Sequence, residues 1–403
     1  MEAIKLLAVF ILIMVLLWRK KPLAPVLIGA SLLLAILYGT RVSGFLQMLW
    51  NATTGTDTLE LAGVLTMVMI LERILRERGY LGRMLDALTG LFKDRRIVMG
   101  LMPAFIGLMP SAGGALFSAP LVEQAVGKSV NAENKAFINF YYRHIWEYFL
   151  PIYPGVLLAS SITGIPLAKM ILGLIPFGIL IILLGTPFLF SIKLDETEAV
   201  QVSGSTQSPR SQLIKDVAAS TLPVVAVVAL VLASVNVVLA TLLVIAFLAA
   251  KHRYKPGEFL SLIRRAIVVK TLVIIWAVML FKEVMTLTGS IDQLPILLEK
   301  LPIPGIAVVG LISFLIAYLT GQTGFYVGIA FPLVVAAVGG HVALPLAVFV
   351  FLSGSTGTML SPMHLCLSLT VDYFKADFNK VLLKLIIPES IVILTALVFY
   401  LLF

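Results

Sequence analysis

The sequence predicts an all-α polytopic membrane protein of about 10 spans, built as two inverted-topology repeats that each carry a re-entrant hairpin and a broken helix. Three observations predict it. Of 403 residues 60% are hydrophobic and only 13% charged, against about 25% charged in a soluble domain. The order of elements in residues 1–191 recurs in residues 213–403. Basic residues cluster in alternate loops, so the net charge of +9 marks cytoplasmic loops. The expected partner is therefore the lipid bilayer, not nucleic acid.

Taken in order, Leu6 to Trp18 is followed by Arg19, Lys20 and Lys21. A signal peptide carries its charge before the apolar core and a small-residue cleavage site after it. The first span is thus expected to be retained, with its N-terminus outside. The second span, about 22–39, leads to an outside loop over 41–58 that holds only Arg41. The third span, from 59 to about 77, returns to a stretch with Arg73, Arg76, Arg78, Arg83, Lys93, Arg95 and Arg96. Within it Leu81, Met84, Leu85, Leu88 and Leu91 recur at helical spacing, as in a helix lying along the membrane surface. Scaffold spans therefore occupy 1–78.

Ile97 to Met109 is too short, at roughly 20 Å of helix, to cross about 30 Å of hydrocarbon. It ends in Pro110-Ser111-Ala112-Gly113-Gly114, and a second short arm follows. Residues 97–127 are read as a re-entrant hairpin, whose non-helical tip must be buried in protein or line a wet cavity. A broken span over 136–163 is apolar at its ends and holds Arg143, His144 and Glu147 before Pro151 and Pro154. A last span covers 168–191. Residues 192–212 are polar and rich in Ser, Thr, Gln and Glu, and read as a cytoplasmic linker.

The second half repeats this plan, with scaffold spans in 213–282, a hairpin in 303–339, a broken span in 342–370 and a last span in 379–403. An offset of 211 places Pro151 on Pro362 and Lys169 on Lys380. An offset of 212 sets Ala119–Val122 beside Phe331–Val334. Five crossings in the first half invert the second, which puts both termini outside. The charges agree, since 22 of the 30 Lys and Arg residues fall in the expected cytoplasmic segments.

Inverted repeats with interrupted helices are the architecture of secondary transporters, whose sites lie near the midplane where the interruptions meet. Four segments qualify: the tips Pro110 to Gly114 and Thr320 to Gly324, and the breaks Arg143 to Pro154 and Ser353 to Pro362. Three of their motifs carry a resemblance. The hairpin Thr-Gly-Gln-Thr-Gly-Phe-Tyr-Val-Gly-Ile-Ala-Phe-Pro-Leu, the stretch Tyr-Arg-His-Ile-Trp-Glu-Tyr and the run Met-Leu-Ser-Pro-Met-His-Leu-Cys-Leu resemble an uncharacterised prokaryotic family of integral membrane proteins. That family is grouped with the ion transporter superfamily of gluconate, lactate, citrate and dicarboxylate carriers. The resemblance covers nearly the whole chain. It implies a cell inner (plasma) membrane protein, a scaffold domain that forms a homodimer, and a transport domain that moves like an elevator. The Ser-Asn-Thr tips of the dicarboxylate carriers stand here as Ser111-Ala112-Gly113 and Gln322-Thr323-Gly324, so their sodium sites do not carry over.

The candidate substrate residues are Arg143, His144, Ser111, Gln322, Thr323, Ser355, Thr356 and His364. A guanidinium is costly at membrane depth and its fork of donors suits a carboxylate, so the expected cargo is a small organic anion. An internal Arg143–Glu147 pair is the structural alternative. The candidate ion-coupling residues are Glu147, Gly113, Gly114, Thr320, Gly324, Gly354 and Thr358, serving either H+ through the carboxylate or Na+ through hydroxyls and glycine-freed carbonyls. Helix packing by small residues is the alternative for these. No other cofactor is expected. An enzyme is disfavoured, since Ser355 and His364 lack an orienting third group and no H-E-x-x-H motif or pair of intramembrane aspartates occurs. A channel or uniporter is the remaining alternative. The single cysteine, Cys366, reads as a packed thiol.

Overall fold

A computed structural model describes residues 5, 8–9, 11–13, 15–16, 19, 21–92, 94–108, 115–194, 209–289 and 304–403. The first-hairpin tip, including Ser111, Gly113 and Gly114, and the core of the 192–212 linker lie outside the described residues. The described chain is all-helical. In the first half the α-helices are α1 (Leu23–Leu37), α2 (Val42–Thr54), α3 (Thr56–Glu77), α4 (Tyr80–Leu91), α5 (Arg95–Gly107), α6 (Ala115–Val126), α7 (Ala132–His144), α8 (Pro154–Thr163) and α9 (Leu167–Phe190). In the second they are α10 (Arg210–Leu232), α11 (Val237–Lys251), α12 (Pro256–Ala266), α13 (Val269–Leu287), α14 (Gly305–Thr320), α15 (Thr323–Ala337), α16 (Leu344–Met359), α17 (Leu365–Phe374) and α18 (Phe378–Leu402).

Local chemistry sets many of these boundaries. Asp94, Asn131, Asn236 and Asp377 cap α5, α7, α11 and α18 by accepting from backbone N–H groups of the first turn. Pro154 opens α8, where the missing N–H costs nothing. Gly164 ends α8 and Gly321 ends α14 in the left-handed conformation, with φ of +70° and +65°. Among the described residues, α9, α10 and α18 are each long and apolar enough to cross a membrane alone. The hairpin arms and the two halves of each broken span are shorter, and they cover the distance only in combination.

The packing of the two halves follows an exchange symmetry. The third span of each half packs on the second span of the other, α3 on α11 and α13 on α1. The second hairpin arms α6 and α15 pack on the distal pieces of the opposite broken spans, α17 and α8 respectively. The proximal pieces α7 and α16 lie against the opposite last spans, α18 and α9. Each of these contacts has its counterpart with the two halves exchanged, the pattern expected of two pseudo-symmetric copies.

Two expectations are corrected. Residues 41–58 were expected to form an outside loop, and they contain the helix α2. It packs on α13 and leaves Val42 77%, Leu46 58% and Trp50 68% exposed, so its apolar outer face resembles a span while its length does not. Its counterpart in the second half is α12, which packs on α3, and each of these short helices sits between a second and a third span. The second break was expected over Ser353 to Pro362, yet α16 runs unbroken to Met359 and the chain departs from α-helix at Leu360–His364. The Ser-Gly-Ser-Thr-Gly-Thr run stays helical because its small residues admit close neighbours. A Cβ on Gly354 would come within 2.2 Å of the Tyr326 ring, and one on Gly357 within 2.3 Å of the Phe314 carbonyl oxygen. Gly354 and Thr358 therefore sit in regular helix, and the carbonyls beside them are not freed by an unwound backbone.

Candidate functional site

The first break starts where α7 ends at His144 and passes into a 3-10 turn, Ile145–Tyr148. The turn is pinned to the first hairpin, because the Trp146 indole donates to the Ala104 carbonyl at 2.5 Å and the Tyr153 hydroxyl donates to that of Gly107. Arg143 is 1% exposed, has Tyr153 as a hydrogen-bonding neighbour, and lies near Cys366 and Glu147.

The second break delivers His364, the N-cap residue of α17. The Ser361 hydroxyl donates to the Tyr318 carbonyl at 2.5 Å, tying this break to α14. Gly321, at the second hairpin tip, abuts the same segment, and a Cβ there would lie 2.5 Å from the His364 nitrogen. Across the axis the two breaks meet. The rings of His144 and His364 cross edge to face at 4.7 Å between centroids, with Phe140 against both at 4.4 and 5.0 Å. His144 Nδ1 lies 2.6 Å from the Phe140 carbonyl oxygen, and His364 Nδ1 lies 3.0 Å from that of Thr358. A carbonyl only accepts, so each Nδ1 carries the proton and, in the neutral ring, each Nε2 holds the lone pair.

Next to this pair is a small cavity of about 10 Å³ lined by His144, Glu147, Tyr148, Thr323, Ser355, Thr358 and Met359. It is the size of a single water. Glu147 Oε1 stands 3.8 Å from His144 Nε2, and neither His144 Nε2 nor Thr358 Oγ1 has a hydrogen-bond partner among the described residues. Two acceptors facing each other need a donor or a cation between them, which a shared proton, a water or a metal ion supplies. Thr323 reaches the cavity from the first residue of α15. Ser355 shares a hydrogen bond of 3.0 Å with the Tyr326 hydroxyl.

The predicted residues divide accordingly. His144, Glu147, Thr323, Ser355 and Thr358 share the cavity, His364 adjoins it, and Arg143 lies behind it near Glu147. Thr356 faces away from the cavity toward Glu389. Gln322 is exposed, and the Thr320 hydroxyl donates within its own helix to Ile316 at 2.7 Å. Gly324 has open space around it, and Gly354 is packed under Tyr326. Sequence reasoning passed over Glu389 as a site residue. It is fully buried and accepts from the Tyr148 hydroxyl at 2.9 and 3.1 Å. Its signal was visible, as the one acidic residue in the 25 residues of α18, but only folding carries that helix beside the first break. Glu123, also acidic and on a hairpin arm, pairs with Lys135 at 2.8 Å.

The fold is similar to the crystal structure of the Alcanivorax borkumensis YdaH transporter, described as having an unusual topology. The TM-score is 0.68 and the identity 12%, over 94% of this chain and 98% of that one. No curated protein matches the chain. A family model described as protein of unknown function (DUF401) matches residues 3–402. Since that match spans nearly every element from the first span to the end of α18, the chain belongs to the DUF401 family.

Proposed function

We propose that the protein is a secondary active transporter of a small organic anion, a carboxylate, coupled to a cation and working by elevator-type alternating access. The observation that carries the reading is the convergence of the first break, the second hairpin tip and the last turns of α16 on one cavity, with His364 of the second break adjoining it and the buried Arg143 guanidinium behind it. The N-termini of α8, α15 and α17 open at the breaks and at that tip, and their free N–H groups favour negative charge. Similarity in fold to a solved transporter supports a carrier, and the resemblance to the ion transporter superfamily supports the anion.

A cavity of about 10 Å³ is smaller than any carboxylate, so the anion enters only after the second hairpin withdraws from α8. Those elements meet where a Cβ on Gly155 would lie 2.2 Å from the Thr323 methyl. Coupling by H+ is placed on Glu147, with Thr323, Ser355 and Thr358 as the oxygen set if the ion is Na+. The protein works as a homodimer in the cell inner membrane, with both termini outside. The test is uptake into proteoliposomes of organic anions first selected by thermal stabilisation of the purified protein. Saturable uptake that collapses with the Na+ or H+ gradient supports the reading. Uptake that ignores both gradients leaves a uniporter or channel in its place.

A further inference from the structure

His144, His364 and Cys366 are all buried, and one ligand atom from each lies within 4.8 Å of the other two. We propose that these three residues bind a transition metal ion of borderline to soft character, for which Zn2+ is the type case, with its fourth position left to water. The site joins residues from both inverted repeats, so it exists only when the two breaks are together.

Four features fit this chemistry. Both imidazoles donate Nδ1–H to a backbone carbonyl, the outer hydrogen bond that fixes a metal-binding histidine with Nε2 as the ligand atom. His144 Nε2 is buried and has no hydrogen-bond partner among the described residues, and the Glu147 carboxylate stands 3.8 Å from it. One thiolate and two imidazoles make a three-ligand N/S set of the kind zinc takes with a water in its fourth position. The Arg143 guanidinium lies near Cys366 and favours the thiolate that a metal requires. Bonds of about 2.0–2.3 Å hold tetrahedral ligands about 3.3–3.7 Å apart, so the three groups close by about 1 Å on the ion. Binding converts the Cys366 thiol to a metal-bound thiolate, and its proton leaves to solvent.

The inference does not depend on which solute is transported. The experiment uses the full chain in detergent, stripped with a chelator and titrated with Co2+ as a spectroscopic stand-in for Zn2+. The expected result is one Co2+ per chain with tetrahedral visible bands and a sulfur-to-cobalt charge-transfer band, both removed by added Zn2+. Cys366→Ser should lose the charge-transfer band. The His144→Gln, His364→Gln double variant should weaken binding by more than the roughly 10–100-fold that loss of an outer hydrogen-bond partner costs. Replacing the other two histidines, His252 and His341, should change neither. Absence of the charge-transfer band in the unaltered protein overturns the proposal whether or not the variants fold, as does undiminished affinity in the double histidine variant. In that event the two rings and Phe140 are an aromatic packing cluster.

Discussion

Arg143 poses the sharpest question at the level of single residues, because a guanidinium 1% exposed must be compensated by the fold, by a ligand or by both. If it grips a carboxylate, Arg143→Lys should weaken anion binding strongly, since a point charge cannot reproduce a bidentate fork, and Arg143→Gln should abolish it. If it only balances Glu147, changing both residues to Gln should restore folding and anion binding together. Thermal stabilisation by the anion reads both cases, and normal affinity in the double variant removes Arg143 from the substrate site. A second residue-level expectation concerns Gly321, whose φ is +65° and whose absent Cβ leaves room for the His364 backbone. Gly321→Ala should destabilise by about 1–2 kcal/mol from the left-handed conformation alone, and by more through the contact. Gly324→Ala, three residues on with open space around it, should be neutral or slightly stabilising. Unfolding midpoints of the two variants check the contrast, and equal midpoints would mean that the tip does not press on the second break.

Between elements, the moving contact is expected where α15 meets α8. A Cβ on Gly155 would lie 3.2 Å from the Thr323 Cβ, close to the roughly 3.5–4.5 Å of a disulfide. Replacing Thr323 by Cys also removes the methyl that would otherwise clash. The double variant Gly155→Cys, Thr323→Cys, built with Cys366→Ser, should form a disulfide under mild oxidation, lose transport, and regain it on reduction. Full activity in the oxidised form would show that the second hairpin does not withdraw from α8 during the cycle. The same scale explains why the Ser353–Thr358 run misleads. Small polar residues with two glycines suit an unwound segment and suit close helix packing equally well, and Tyr326 and the Phe314 carbonyl decide for packing. Only the neighbouring helices hold that information.

For the whole molecule, the charge pattern is the basis on which we propose an orientation with both termini outside and the linker inside. A cysteine placed at Ser205 should resist an impermeant thiol reagent in intact cells, whereas one at Thr53, exposed at the end of α2, should react, both with Cys366 replaced. Labelling at position 205 before lysis would place the linker outside and overturn the orientation. Polar contacts between the halves belong to this scale as well. Arg78 pairs with Glu258, Arg265 with Glu77 and Lys282 with Asp57, each joining a third-span region of one copy to the other copy. As largely exposed pairs they contribute little stability, and the buried apolar faces of α3, α11, α13 and α1 hold the scaffold together.

What the sequence determined by itself is what depends on local composition and order: the all-helical class, the first break after His144 and the amphipathic helix α4. Hydropathy and proline or glycine punctuation act over a few residues, so a single chain displays them. The helix α2 escaped because its 13 residues are too short to read as a span and its packing face is defined only by α13. The site was legible only in part. Arg143, His144 and Glu147 stand out as ionisable groups inside an apolar stretch, but Glu389 is more than 200 positions away in a helix that reads as plain membrane span. Cys366 carried no signal beyond its burial. The approach of His364 and Cys366 to His144, and of Tyr148 to Glu389, was decided by the tertiary structure, because the pseudo-two-fold exchange carries α17 and α18 to the opposite repeat. No local property of the sequence encodes which copy a helix will pack against.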